Sequence, residues 1–317
     1  FLAVNLLKDE DFSYLFIIFS FSLIIFAINN LLLNILNGMK EIKKLITINT
    51  YANLISFLFS LFLITTYKLH GALISLVTSQ SAVFIITLFF VLKSKWFKLK
   101  NFIPNYNNET ASKLFGFSLM TFTSIFFINF SQIIIRNFIV YNQSVESAGY
   151  WQSIVKLSDI YLGFITMTLS IYYLPRLSEI KDKSILKKEI FSGYKIILPA
   201  LFIMNISIYF LRFFIIKFVF TDKFMPISEL FAFQMVGDFF KITSWLLAYL
   251  MFAKAMTKVF VITEILFIFG YLTLSIIFIQ TFGIIGATFA YALNYFFYLL
   301  GMIWLFRDLI FKNFSKN

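Results

Sequence analysis

Long apolar runs of about 20 residues, separated by short polar breaks, recur along the whole chain. The hydrocarbon core of a bilayer is about 30 Å thick and takes about 20 apolar helical residues per crossing. Nine stretches meet that length: 12–36, 45–66, 71–92, 114–135, 148–174, 190–211, 229–253, 259–279 and 284–306. They are too continuous for the alternating strands of about ten residues that build an outer-membrane barrel. Charged residues make up 13% of the 317 positions, against about 25% in a soluble domain, so a water-soluble globular fold is excluded. The sequence predicts an all-α polytopic membrane protein, a bundle of about nine transmembrane helices.

Composition removes several chemistries. With no Cys and a single His there is no disulfide framework, no thiolate or histidine metal cluster and no cysteine nucleophile. No phosphate-binding loop or dinucleotide fingerprint occurs, so direct ATP drive and a bound cofactor are not expected, and an ion or proton gradient is the expected source of drive. The net charge of +12 follows topology. One set of breaks carries 18 of the 27 Lys and Arg, including Lys40, Lys43, Lys44, Lys93, Lys113, Arg176, Lys188, Lys254, Lys258 and Lys316. The opposite set carries six: Lys8, Lys68, Arg136, Arg212, Lys217 and Lys223. By the positive-inside rule the first set is cytoplasmic, the C-terminus is inside, and nucleic acid is not a partner.

The chain opens with Phe1 and no leader pattern, and nine spans with an external start read as a fragment. Lys40, Lys44 and Gly71-Ala72 stand in the same relation to their spans as Lys254, Lys258 and Gly286-Ala287, which suggests two parallel six-span halves. On that scheme residues 1–92 hold the last three spans of a truncated first lobe, 93–113 the cytoplasmic interlobe connection, and 114–317 a complete six-span second lobe. Trp96 and Phe97 among the lysines of that connection fit either a membrane-surface segment or a solvated linker.

Charges at mid-span cost about 2.5–3.5 kcal/mol each on the insertion scale. Lys156 and Asp159, and Asp238 and Lys241, occupy two different spans at a shared depth, each pair spaced i, i+3 on one helix face. Two readings are open. The pairs self-neutralise to cross the membrane or bind helices together, or they line a water-accessible cavity in which the lysines meet an anionic substrate and the carboxylates exchange protons or ions. Gln152, Ser153, Ser158, Gln234, Thr243 and Ser244 on the same spans favour the cavity. Gln132 and Arg136 would sit at its outer mouth or serve as interfacial anchors. Pro199 should bend its span, His70 falls in a turn, and Lys195 and Glu264 lie where they can snorkel to the inner interface.

The run Ala148-Gly149-Tyr150-Trp151-Gln152, then Lys156-Leu157-Ser158-Asp159-Ile160-Tyr161 and Tyr172-Tyr173-Leu174-Pro175-Arg176, resembles the O-antigen translocase (Wzx) family. So does Phe233-Gln234-Met235-Val236-Gly237-Asp238-Phe239-Phe240-Lys241 with Ser244-Trp245 and Lys254-Ala255-Met256-Thr257-Lys258 behind it. The likeness is greatest to the lipid III flippase branch, which serves enterobacterial common antigen. It implies the two-lobe, twelve-helix fold of the multidrug and polysaccharide exporter superfamily, of which this chain would hold a part. The implied cargo is an undecaprenyl-pyrophosphate-linked glycan moved across the bacterial inner membrane, with the glycan polymerase and chain-length regulator as further partners. Charge and depth then assign Lys156, Lys241, Arg136, Gln152 and Gln234 to the cargo and Asp159 and Asp238 to proton or ion coupling. The rivals are a multidrug antiporter of the same fold, whose cavity should be acidic, and a glycan polymerase, which should carry a large external loop.

Overall fold

The computed structural model describes residues 13–98, 100 and 107–312. Lys8, Lys316 and most of the connection between residues 99 and 106 therefore lie outside the described residues. Among those described there is no strand, and eight helices are long and apolar enough to cross a membrane. The chain is an integral membrane protein. It divides into two compact units, residues 1–105 and 106–317.

The first unit holds α1 (Ser13–Gly38), α2 (Ile42–Ala82) and α3 (Phe84–Leu92). The predicted spans 45–66 and 71–92 fall on one helical stretch, Ile42–Leu92, that breaks at Lys68 (φ 49°, ψ −122°), so nine apolar segments result from eight helices. Leu32, Leu36, Ile48 and Val91 form its core, and Trp96 and Phe97 fold back onto them. These two aromatics are half-buried in protein, whereas the sequence offered them to the headgroups or to water. Ser94 donates to Glu41 at 3.0 Å, and Lys44 pairs with the same carboxylate at 2.8 Å, tying the start of α2 to the end of α3.

The second unit holds α4 (Asn108–Asn142), α5 (Val145–Thr168), α6 (Leu174–Glu179), α7 (Lys183–Val219), α8 (Phe231–Ala253), α9 (Thr257–Phe282), α10 (Ile284–Leu305) and the short α11 (Arg307–Phe311). Polar side chains set the helix starts. Asn107 accepts from the Thr110 amide at 3.0 Å, Ser144 from Ser147 at 3.0 Å, and Asp182 from Ser184 and Ile185 at 2.8 and 2.9 Å. The Ser184 hydroxyl, then the Ile185 amide, hold the Asp182 carboxyl below the usual carboxylate range. A π-helical turn, Leu169–Tyr173, joins α5 to α6 and buries Leu169 and Tyr173 against Leu246, Leu250 and Tyr298. Pro199 sits inside α7, which runs unbroken through it over its 37 residues. Phe231, Met235 and Ile242 of α8 pack against Ile154 and Leu162 of α5 and Leu201 of α7, making α8 the central helix.

The same turns recur in both units. Among the described residues, the four with positive φ form two pairs, Lys40 with Ala255 and Lys68 with Gly283, each separated by 215 positions. Lys40 and Ala255 end α1 and α8 in one hydrogen-bond pattern: Glu41 N–H to the Leu36 carbonyl at 3.0 Å, and Met256 N–H to the Met251 carbonyl at 2.8 Å. Gly71 and Gly286 carry the same spacing. A Cβ on Gly71 would lie 1.8 Å from the Leu63 carbonyl oxygen, and one on Gly286 would lie 1.9 Å from that of Phe278. Both glycines therefore let two helices touch backbone to backbone. Gly286→Ala and Gly71→Ala are expected to destabilise the protein by at least the roughly 1–3 kcal/mol of an overpacked site, read as a lowered midpoint of thermal unfolding in detergent. An unchanged midpoint in both would mean that the turns are not held by this contact.

Candidate functional site

A cavity of about 560 Å³ lies inside the second unit, walled by α4, α5, α8, α9 and α10. Its polar lining includes Lys156, Asp159, Gln234 and Lys241, four of the residues that the sequence singled out. Gln132 also lines it, whereas Gln152 and Arg136 do not, and Arg136 is exposed on α4. The remaining wall is aromatic, with Trp151, Trp245, Tyr249, Tyr291, Tyr295 and Tyr298 prominent.

The two Lys/Asp pairs turn out to be different devices. Lys156 Nζ lies 3.7 Å from Asp159 Oδ2, with the side chains 65% and 46% exposed, so this pair is open and weakly held. No ion pair joins Lys241 to Asp238, which corrects the expectation of two like pairs. The Lys241 ammonium stands over the rings of Trp245, Tyr295 and Tyr291, at 5.0, 5.6 and 5.8 Å from their centroids. Aromatic faces within about 6 Å attract a cation without cancelling its charge.

Asp238 is completely buried, one layer behind the cavity wall. Its Oδ2 accepts hydrogen bonds from Ser158 Oγ at 2.7 Å and from the Tyr161 hydroxyl, both on α5. Its Oδ1 accepts from the Tyr291 hydroxyl of α10 at 2.7 Å, with Gln234 Nε2 at 3.4 Å. One carboxyl thus joins three helices. The neighbouring residue makes that possible: a Cβ on Gly237 would fall 2.2 Å from Tyr291 Cδ1, so only glycine lets the ring in. Tyr291 is also one of the rings beneath Lys241, and it connects the buried carboxyl to the cavity ammonium.

Sequence reasoning missed Glu264. Placed near the interface as a snorkelling residue, it instead lines the cavity and accepts from the Tyr298 hydroxyl at 3.1 Å. Its partner was legible in principle, because Tyr291, Tyr295 and Tyr298 follow the i, i+4, i+7 spacing of one helix face. With Glu264 added and Arg136 removed, the charged lining is Lys156 and Lys241 against Asp159 and Glu264. Among the described residues no group of three or more His, Cys, Asp or Glu side chains converges as a metal site would require.

A lipid-embedded helical protein with a polar chamber inside one unit is the architecture of a membrane transport protein or a membrane-embedded binding protein. The chain belongs to the polysaccharide biosynthesis protein family, whose shared sequence pattern matches residues 2–229. It is similar to the lipid III flippases of Escherichia coli (strain K12) and Shigella flexneri, 30% identical over 233 residues in each case. The match covers 72% of this chain and 55% of each flippase, so the chain spans about half the length of the curated relatives it matches. No solved structure matches it.

Removing Asp238 should be costly. Asp238→Ala leaves the Ser158, Tyr161 and Tyr291 hydroxyls without their acceptor, at about 1–3 kcal/mol for each buried group left unpaired. Asp238→Asn keeps an acceptor oxygen and should unfold at a temperature between those of the alanine variant and the parent. Thermal unfolding in detergent checks the order, and an alanine variant as stable as the parent would show that the carboxyl does not hold the three helices together.

Proposed function

We propose that the chain works in a flippase that carries an undecaprenyl-pyrophosphate-linked oligosaccharide, an O-antigen or enterobacterial common antigen repeat unit, from the cytoplasmic to the periplasmic face of the bacterial inner membrane. It acts as a transporter and not as an enzyme. The observation that carries this reading is the position of Lys156 and Lys241 in one polar-lined chamber of an otherwise apolar helical bundle. Similarity to two lipid III flippases supports the cargo class. An ammonium over aromatic faces has no direct ion pair to break before a pyrophosphate arrives, so Lys241 is the first anchor and Lys156 the second. Gln234 contributes a neutral donor from the same wall. Arg136 and Gln152 lie off that wall and are left out of the contact set.

Asp159 and Asp238 are the groups through which an ion or proton gradient acts on the cavity. Asp159 does so by releasing Lys156 to the cargo, and Asp238 through Tyr291, which touches both the carboxyl and the Lys241 site. The turns repeated at 215 positions support a two-lobe, twelve-span arrangement, residues 1–92 belonging to one lobe and 114–317 to the other, and the Lys and Arg bias supports a cytoplasmic C-terminus. The lobes then rock about the bound headgroup in alternating access. A glycan polymerase and a chain-length regulator would receive the product.

The multidrug reading needs an acidic cavity, and the lining here is balanced in sign. In the full-length protein, Lys241→Gln and Lys156→Gln should each reduce surface glycan in a flippase-deficient strain by about tenfold or more, the worth of one charge-assisted hydrogen bond. Membrane levels of the protein should not change. Parental amounts of glycan in both variants would remove the lysines from the transport path.

A further inference from the structure

The face of α8 opposite the cavity carries a second concavity. Gln234, Lys241, Trp245, Ala248 and Phe252 point into the cavity, and helical periodicity turns Met235, Val236 and Phe239 to the other side. There, with Phe202, Ile206 and Tyr209 of α7, they form an open groove of about 370 Å³ whose surface is apolar. Asn205 fixes its floor, donating from Nδ2 to the Met235 carbonyl at 2.8 Å and so clamping α7 to α8.

One end of the groove is charged. The Arg212 guanidinium lies over the ring of Tyr209 at 4.2 Å and over Phe213 at 4.4 Å, and Nη1 donates to the Tyr209 carbonyl at 2.7 Å. Three contacts therefore hold the head of a long side chain beside a residue that lines the groove. Arg212 is seven residues before the end of α7 at Val219, about 10 Å along the axis at 1.5 Å per residue, and Lys217 and Lys223 follow it. The apolar run 190–211 ends next to Arg212, which puts the guanidinium at the predicted edge of the hydrocarbon core. A planar guanidinium with forked donors matches phosphate oxygens and tolerates stacking on rings better than an ammonium does.

We propose that this groove is a binding site for one anionic phospholipid of the bilayer, an acyl chain lying between α7 and α8 and the phosphate on Arg212. The occupant is a bilayer lipid and not the transported one, because α8 stands between the groove and the cavity. The site requires only that the chain sits in a membrane, and it stands whether or not the flippase reading holds.

The test uses the full-length protein purified in mild detergent, offered phosphatidylglycerol or phosphatidylethanolamine, with retained lipid counted by native mass spectrometry. One phosphatidylglycerol should be retained in preference to phosphatidylethanolamine. Arg212→Gln should lower that retention about tenfold. Val236→Trp, which fills the groove and leaves the arginine in place, should abolish it. Both variants should elute as the parent does on gel filtration. Equal retention by all three proteins overturns the site. Loss in Arg212→Gln alone reduces it to a surface phosphate contact and overturns the groove. Displacement of phosphatidylglycerol by an equimolar amount of undecaprenyl phosphate overturns the choice of occupant and assigns the groove to cargo.

Discussion

The second unit is organised around a carboxyl that lipid cannot solvate. Inside a bilayer every polar group must find its partner within the protein, and Asp238 finds partners on two helices besides its own. Meeting that demand fixes the distances from α8 to α5 and to α10, requires glycine at position 237, and places Tyr291 where its ring meets Lys241. The cavity wall is thus a consequence of how one buried acid is satisfied. The aromatic face of α10 then serves two purposes, donating hydroxyls to carboxyls and offering rings to a cation.

The sequence made the lipid-facing architecture legible because the physics is one-dimensional: a run of about 20 apolar residues is a span wherever it falls. Helix ends were less legible: the spans 114–135 and 190–211 belong to helices that run Asn108–Asn142 and Lys183–Val219, because the polar caps Asn107 and Asp182 lie beyond the apolar runs. What pairs with what was not legible. The i, i+3 spacing of Asp238 and Lys241 looks the same as that of Lys156 and Asp159, yet one pair opens onto the cavity with both members and the other is divided by the cavity wall. Spacing gives proximity along a helix, and only the neighbouring helices decide whether a hydroxyl outbids the lysine. Glu264 was misread for the same reason, because its depth suits an interface and its partner Tyr298 lies on another helix.

The repeat shows a different limit. Lys40 and Ala255, and Lys68 and Gly283, share backbone conformation without sharing a residue type. Left-handed φ costs a non-glycine residue about 1–2 kcal/mol, so two lysines and an alanine at these positions mean that the turn geometry is imposed by the helices it joins. A sequence comparison sees only the glycines that relieve backbone contact, whereas the structure also shows the turns that tolerate strain. Conservation of geometry across 215 positions within one chain therefore carries more weight than the residues that first suggested it.

The balance of charge in the cavity has a consequence for how an anion would enter it. Two lysines face two carboxylates, so the chamber as a whole does not repel cations or concentrate anions strongly, and selectivity must come from how each charge is held. The exposed Lys156–Asp159 pair is worth about 0–1 kcal/mol, little enough that a doubly charged phosphate group can replace the aspartate. Lys241 forms no ion pair of that kind; three rings restrict its position, and the Asp238 and Glu264 carboxylates act on it only at longer range. A cation, by contrast, would have to bind Asp159 against Lys156 or Glu264 against the Tyr298 hydroxyl, with Lys241 in the same chamber. The asymmetry lies in the partners and not in the net charge, and the proposed anionic cargo rests on it.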